Sequence, residues 1–385
     1  MKVSIIVGGR FHAFDLAEQL HKKNCLKKLI TSYPKKYVKN NFNIATDNII
    51  SLPLKEILFR SFKKVKFIEE HFDIDLITSK LFAKKASKLT NFSDTNILVG
   101  WSSFSLYSFE KSKKYNCINI LERGSTHIEF QRDILREEYD LLGIRPNLPS
   151  RKLIEIEKKE YELSDYICVP SEFAKKTFLD KGYDENKVVK TIYGVDLSKF
   201  NIHGKIKTKN KFNIICVGSL SVRKGVIYLI KAFNELKLKN SNLIFVGDVE
   251  KKLDKILSQK LNDRIKIFKS VNQNLLKNFY INSSVCVTCS VEEGLSMVQL
   301  QAMACGLPVI CTENSGGREI IDDGENGFIL PIRDVEKLKE KLKYLYDNRD
   351  IMFSMGEKAE KKAKTFLDWN NYGSKMINFY SSLLK

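Results

Sequence analysis

Two patterns of apolar positions alternate along this chain. Short, nearly continuous runs rich in β-branched residues are separated by longer stretches in which apolar positions return every three or four residues. The first kind predicts strands buried on both faces; the second predicts amphipathic helices. Strand-like runs fall at "VSIIV" 3–7, "KLIT" 28–31, "NILVG" 96–100, "CINIL" 117–121, "YICVP" 166–170 and "VVKTIY" 188–193. A polar, lysine-rich stretch, 194–212, breaks the rhythm. It resumes with "FNIICVG" 212–218, "NLIFVG" 242–247, "RIKIF" 264–268, "SSVCVTC" 283–289, "PVICT" 308–312 and "GFILP" 327–331. Strands alternating with helices predict βαβ units on parallel sheets.

The fold class is therefore α/β, with two Rossmann-like doubly wound domains facing across a cleft. The pattern sets a first domain over 1–195, a linker over 196–211, a second domain over 212–362 and a C-terminal helical segment over 363–385. A length of 385 residues suits two domains rather than one core. In "KAKTFLDWNNYGSKMINFYSSLLK", Trp369, Tyr372, Met376 and Phe379 share one helical face and predict a packed final helix.

Charge adds less than its size suggests. The formal net charge is +19, with lysine, asparagine and isoleucine abundant throughout, so the excess reads equally as compositional bias or as attraction to an anionic partner. Eight cysteines without framework spacing favour a reducing compartment. Cys286 and Cys289, the C-x-x-C, sit three apart in a strand-like run, which turns them to opposite faces as core residues. No run is apolar enough for a membrane span or a signal peptide. The expected location is cytoplasmic, at most peripheral at the inner face of the membrane.

Chemistry in doubly wound domains gathers in loops at the carboxyl ends of strands. After the first strand come Gly8 and Gly9, which read either as a tight turn or as a place where backbone approaches a ligand. After "NIICVG", which ends on Gly218, Arg223 and Lys224 stand at a helix start. Cations there oppose the helix dipole and point to an anionic ligand, with a solvated pair as the alternative. After "VCVTC", Glu292, Glu293, Gly294 and Leu295 form a loop. Ser296 and Gln299 fit a capping box for a helix from about Met297 to Cys305, with Gly306 as its stop. Gln301 lies in an otherwise apolar helix and needs a partner.

"VGSLSVRKGVIYLIKAF", "LSDYICVPSEFAKKTFLDKGYDENKVVKTIYGVDLSKF" and "EEGLSMVQLQAMACGLPVICTENSGGREIIDDGENGFIL" together resemble the retaining GT-B glycosyltransferases of the family-4 type, the glycosyl transferases group 1, over at least 163–331. The resemblance implies transfer of a sugar from a nucleoside-diphosphate donor, UDP more than GDP, with no cofactor and no bound metal. It makes Glu293 the first acid of an E-x7-E motif, near the donor sugar, and a catalytic residue. His127, after the strand "CINIL", resembles the first-domain histidine that faces the donor sugar. Lys224 with Arg223 would neutralise the diphosphate, and Gly294, Leu295, Ser296 and Met297 would cradle it. Gln301 and Gly218 would lie beside the nucleoside, and the final helix would cross back to the first domain. Two departures stand out: Gln301 replaces the second glutamate, and Ser219 replaces an arginine for which Arg223 is the proposed substitute.

The expected acceptor is a glycan or lipid-linked glycan of a bacterial surface polysaccharide or glycolipid. "KEILFRSFKKVKFIEEHF", 55–72, places Leu58, Phe62 and Val65 on one face beside Arg60, Lys63 and Lys64, which suits an anionic membrane surface or an ordinary solvated helix. Asp73-x-Asp75 imitates a metal-binding D-x-D but does not end a core strand. A nucleotide-sugar epimerase or phosphorylase is the rival enzyme. A nucleic-acid binder lacks its aromatic or arginine-rich groove elements, so nucleic acid is not an expected partner.

Overall fold

The computed structural model describes residues 1–62, 73–200 and 210–385. The first sheet has seven strands in the order β3-β2-β1-β4-β5-β6-β7. They are β1 Val3–Val7, β2 Leu26–Thr31, β3 Ile49–Ser51, β4 Ile97–Trp101, β5 Ile118–Glu122, β6 Tyr166–Val169 and β7 Val188–Lys190. The second has six, in the order β10-β9-β8-β11-β12-β13. These are β8 Phe212–Val217, β9 Ser241–Val246, β10 Ile265–Phe268, β11 Val285–Thr288, β12 Val309–Thr312 and β13 Gly327–Leu330. All pairings are parallel.

Each expected run forms a strand within a few residues of its predicted bounds. The short edge strand β3 is the addition, because its three residues are too few to show a period. Central strands β1, β4, β11 and β12 are buried at every position, as strands covered by helices on both faces must be. The order of strands reverses between β1 and β4 and again between β8 and β11. Loops leaving these neighbours open a crevice at each sheet's carboxyl edge.

One apolar cluster runs without interruption from β1 through Tyr193 and Phe200 to Leu300, Met303 and Met376. The two lobes therefore share part of their core. Helix Trp369–Ser382 crosses back and packs on helix Ala13–Lys22, so closely that a Cβ on Gly373 would lie 2.5 Å from Gln19. Val195 is tied to the crossing by its N–H to the Leu367 carbonyl, 2.7 Å. Of the expected linker, Leu197–Phe200 forms a short helix, and 201–209 lie outside the described residues.

Candidate active site

In the second domain the switch point brings the loops after β8 and β11 together. Lys224 Nζ lies 2.6 Å from Glu293 Oε1, and Glu293 Oε2 accepts from Ser290 Oγ at 3.0 Å. Burial would raise the Glu293 carboxyl, but Lys224 and Arg223 beside it, with the hydrogen bonds of Lys224 and Ser290, bring it below its ordinary value. It is held as a carboxylate.

Arg223 is used differently from what the resemblance implies. Its Nε donates to the Glu292 carbonyl at 3.0 Å and to Glu292 Oε2 at 2.7 Å, and its Nη2 reaches Ser125 Oγ at 3.0 Å. Glu292 is fully buried and also accepts from Ser125 Oγ and Thr126 Oγ1, each at 2.6 Å, from the Thr126 N–H at 3.2 Å and from Gln131 Nε2 at 3.0 Å. Burial opposes its charge, yet Arg223 and these donors outweigh it and hold the carboxyl at about 2. Arg223 therefore anchors a clasp between the domains. Lys224 remains the cation beside Glu293.

Helix Met297–Ala304 begins at Ser296, as expected, but Ser296 makes no side-chain cap bond and its hydroxyl is buried without a partner among the described residues. The capping box does not form. Gln299 instead donates its amide to Thr288 Oγ1 and Ser315 Oγ, both at 2.8 Å, because tertiary hydroxyls compete with the helix's own first turn. The expected stop holds. Gly306 takes φ +66°, its N–H meets the Met303 carbonyl and the Leu307 N–H the Ala302 carbonyl, a left-handed C-terminal cap.

Gly294 has a reason of its own for being glycine. A Cβ there would lie 2.5 Å from the Gly124 carbonyl oxygen and 2.7 Å from Pro170, across the interface. Its carbonyl accepts from Ser171 Oγ at 2.6 Å. Leu295, Met297 and Gln301 line a cleft of about 370 Å³ together with Arg10, His12, Gly124, Tyr193 and Trp369 from the other side. Gln301 Oε1 accepts from Tyr280 at 3.2 Å. Gly218, at φ +118°, carries the turn out of β8 with Lys224 Cε 3.6 Å from where its Cβ would be.

His127 is not at the cleft. It stands at the N-cap of helix Ile128–Leu141, where Nδ1 accepts from the Glu129 N–H at 3.3 Å. Its ring is enclosed by Tyr161, Phe178 and Tyr183. Burial pushes its pKa down to about 4 despite Glu129, so the ring is neutral and structural. The turn "GSTH" after β5 carries it one step behind the surface. His12 borders the cleft instead.

Gly8 and Gly9 serve the fold. A Cβ on Gly8 would fall 2.2 Å from the Phe104 ring, and the turn delivers Arg10, Phe11 and His12 to the cleft. Asp15 lines it too, its carboxyl pushed up to about 7 by burial against the opposing pull of Arg10. Asp73 is an N-cap, accepting from the Leu76 N–H at 3.0 Å, which accounts for half of the D-x-D. Cys286 and Cys289 are buried free thiols. Among the described residues no group of three or more metal-ligating side chains gathers. The spacing placed Glu292 in the loop beside Glu293 without giving it a partner, and it did not single out His12 or Glu122; "GGRFH" directly after a strand was the available signal for His12.

Two doubly wound domains that bring loops from both switch points to one cleft form the GT-B fold. Residues 198–362 match the family described as Glycosyl transferases group 1. An uncharacterized glycosyltransferase of Methanocaldococcus jannaschii is 26% identical over 344 residues, 85% of this chain and 78% of that protein. The capsular polysaccharide biosynthesis glycosyltransferase CapM of Staphylococcus aureus is 25% identical over 241 residues, 58% of this chain and 62% of CapM. Anabaena HepE, solved in complex with UDP-glucose, superposes with a TM-score of 0.72 at 15% identity, over 99% of this chain and 100% of that one. That last likeness bears on the fold alone.

Proposed function

We propose that this chain transfers a sugar, with retention, from a nucleoside-diphosphate donor, UDP rather than GDP, to a glycan or lipid-linked glycan acceptor in the assembly of a surface polysaccharide or glycolipid. The observation that carries the reading is the mouth of helix Met297–Ala304. Its first turn has no side-chain cap, opens beside cleft-lining Leu295 and Met297, and is flanked by the Lys224–Glu293 pair. The N-terminal end of a helix and a lysine suit a diphosphate. The carboxylate suits the hydroxyls of the attached sugar.

Breaking the glycosyl–phosphate bond builds negative charge on the departing diphosphate. Fixed donors in a closed site stabilise that charge without reorganising. The donor diphosphate would draw Lys224 from Glu293, freeing the carboxylate for the sugar. Gln301, with Tyr280 behind it, is assigned to the ribose; its neutral amide costs about 1 kcal/mol relative to a charged acceptor. The acceptor assignment draws support from CapM, whose name places it in capsular polysaccharide biosynthesis. UDP draws support from the ligand of Anabaena HepE. No cofactor and no metal enter the reaction in this reading.

The membrane-side acceptor gains a surface. Helix Leu54–Phe62 leaves Leu54 and Ile57 exposed, with Leu58 and Phe62 half-buried, so the apolar face expected from the sequence turns partly inward. Neighbouring helix Ile74–Leu89 exposes Ile77 and Leu81 beside Lys80, Lys84 and Lys85. Lys63, Lys64 and Val65 lie outside the described residues. Exposed apolar groups among lysines suit an anionic lipid surface.

A thermal-shift screen tests the donor assignment. UDP or a UDP-sugar should raise Tm more than GDP compounds do, since a ligand of the folded state stabilises it by mass action. If UDP, GDP and their sugars all leave Tm unmoved, the transferase site is misassigned. Product analysis with donor alone and with added phosphate separates transfer from epimerisation and phosphorolysis.

A further inference from the structure

The cleft carries one residue that neither the fold nor the donor chemistry above explains. Phe11 follows the paired glycines after β1, lines the cleft and is 59% exposed. Its backbone lies in the left-handed region at φ +42°, where a bulky side chain is strained. Other aromatic rings of the lining are packed away. Tyr193 and Phe200 are buried, and Trp369 is half-buried against Tyr372, 5.3 Å between ring centroids.

Either feature alone is ordinary, since single exposed apolar side chains are common and isolated strained residues occur in turns. Together they set a strained, solvated ring at the carboxyl edge of the first sheet, in the same cleft as Leu295, Met297 and Gln301 of the donor side. The ring is also supported. Its neighbour is Phe104, 6.5 Å away centroid to centroid, from the loop after β4. That loop is clamped by fully buried Glu160, whose carboxylate accepts from the N–H groups of Ser103 at 2.7 Å, Ser105 at 2.7 Å and Leu106 at 3.0 Å. Phe104 also meets Lys55 of helix Leu54–Phe62, whose Nζ lies 5.5 Å from the ring centre. It thus links Phe11 to the helix assigned to the membrane-side acceptor.

We propose that Phe11 is the platform on which the acceptor's terminal sugar stacks, and that this sugar is a pyranose rather than an open-chain polyol. The proposal rests on the transferase reading and adds to it the chemical class of the acceptor. A pyranose presents a face of C–H groups bordered by hydroxyls. That face covers a phenyl ring and takes it out of water, while the hydroxyl rim stays solvated. An exposed ring fits such a ligand, because a partner apolar on all sides would call for an enclosed pocket. A polyol phosphate offers no comparable face. No bond changes at Phe11, which orients the sugar whose hydroxyl attacks. The backbone strain at φ +42° is what holding the ring in the cleft requires.

Fluorescence of the Phe11→Trp variant, read against the wild-type background of Trp101 and Trp369, tests this. Methyl β-D-glucopyranoside, its galacto epimer and its N-acetylglucosamine counterpart are titrated with and without UDP, beside glycerol 1-phosphate. At least one pyranoside should shift the variant's emission to shorter wavelength, as an indole leaving water does, and glycerol 1-phosphate should not. In the wild type, saturation-transfer NMR should mark the C–H face of that pyranoside. Phe11→Gly should weaken its binding about tenfold, the loss expected when roughly 50 Å² of apolar surface returns to water. The same variant should keep Tm at or above the wild-type value, since glycine adopts this backbone freely; a merely structural Phe11 predicts a lowered Tm with pyranoside affinity retained. Silence of all three pyranosides, unchanged pyranoside affinity in Phe11→Gly, a lowered Tm, or glycerol 1-phosphate binding that depends on the ring would each overturn the proposal. Emission moved by UDP while the pyranosides stay silent would put the base on Phe11 and is equally fatal. If Phe11→Gly does not fold, the Phe11→Trp titration and the wild-type NMR still decide. Absence of UDP binding by the wild type would instead defeat the donor reading, while the pyranoside result without nucleotide stands for the platform.

Discussion

At the scale of single residues, Gln301 is the position where a small change is most informative. Its Oε1 already accepts from Tyr280, and it faces the cleft. A carboxylate there can accept the same bond and offer a charge-assisted one to a ribose hydroxyl. Gln301→Glu should therefore tighten UDP by roughly fivefold in a calorimetric titration, the equivalent of about 1 kcal/mol. Unchanged affinity would mean that the ribose does not lie beside this helix. His127 gives the opposite expectation. It is neutral and enclosed, so His127→Phe should leave kcat within threefold. Its folded pKa of about 4 lies below the ordinary 6.5. Its contribution to stability is then complete above about pH 6.5 and is lost as pH falls toward 4. The Phe variant should lose that part of the acid sensitivity in urea melts between those values.

Elements show how local and tertiary demands divide the same segment. The stop of helix Met297–Ala304 is local: Gly306 sits at φ +66° with only Glu360 Oε2, at 3.5 Å, and the Gly356 carbonyl oxygen, at 3.9 Å, near its missing Cβ. Gly306→Ala should cost about 1 kcal/mol through backbone conformation alone, read as a lowered Tm with activity retained. The start of the helix is tertiary, since Gln299 leaves the capping role for Thr288 and Ser315. This explains why S-x-x-Q was misleading while glycine after the last apolar turn was not. A capping box competes with any better-placed hydroxyl; a left-handed residue has few substitutes.

For the molecule as a whole, closure depends on side chains that no sequence motif marked. Glu292 gathers Ser125, Thr126 and Gln131 from one domain and Arg223 from the other. Its folded pKa of about 2 against an ordinary 4.5 places its contribution above about pH 4.5, with loss as pH falls toward 2. Glu292→Gln should cost about 2 kcal/mol, typical of hydrogen bonds to a buried charge, and flatten acid denaturation in that window. At the same scale, the proposed membrane contact joins the net charge of +19 to exposed Ile57 and Leu81. Ile57→Glu with Leu81→Glu should abolish flotation with phosphatidylglycerol vesicles and leave UDP binding intact. Flotation that persists would place the lipid contact elsewhere.

The sequence by itself determined the two parallel sheets, their order of loops and the helix stop at Gly306, because period, β-branching and left-handed backbone act over a few neighbouring residues. It also marked Lys224 and Glu293, since both lie in loops that leave strand ends. Only the tertiary structure decided which polar groups meet across the cleft. Arg223 went to Glu292, and His127 was enclosed by three aromatic rings. His12, which carries no motif beyond a glycine turn, was set against Glu122 from a strand more than a hundred positions away. Spacing along the chain fixes which face a residue takes within its own element; partners on other elements are chosen by packing, and burial then decides the charge each one keeps.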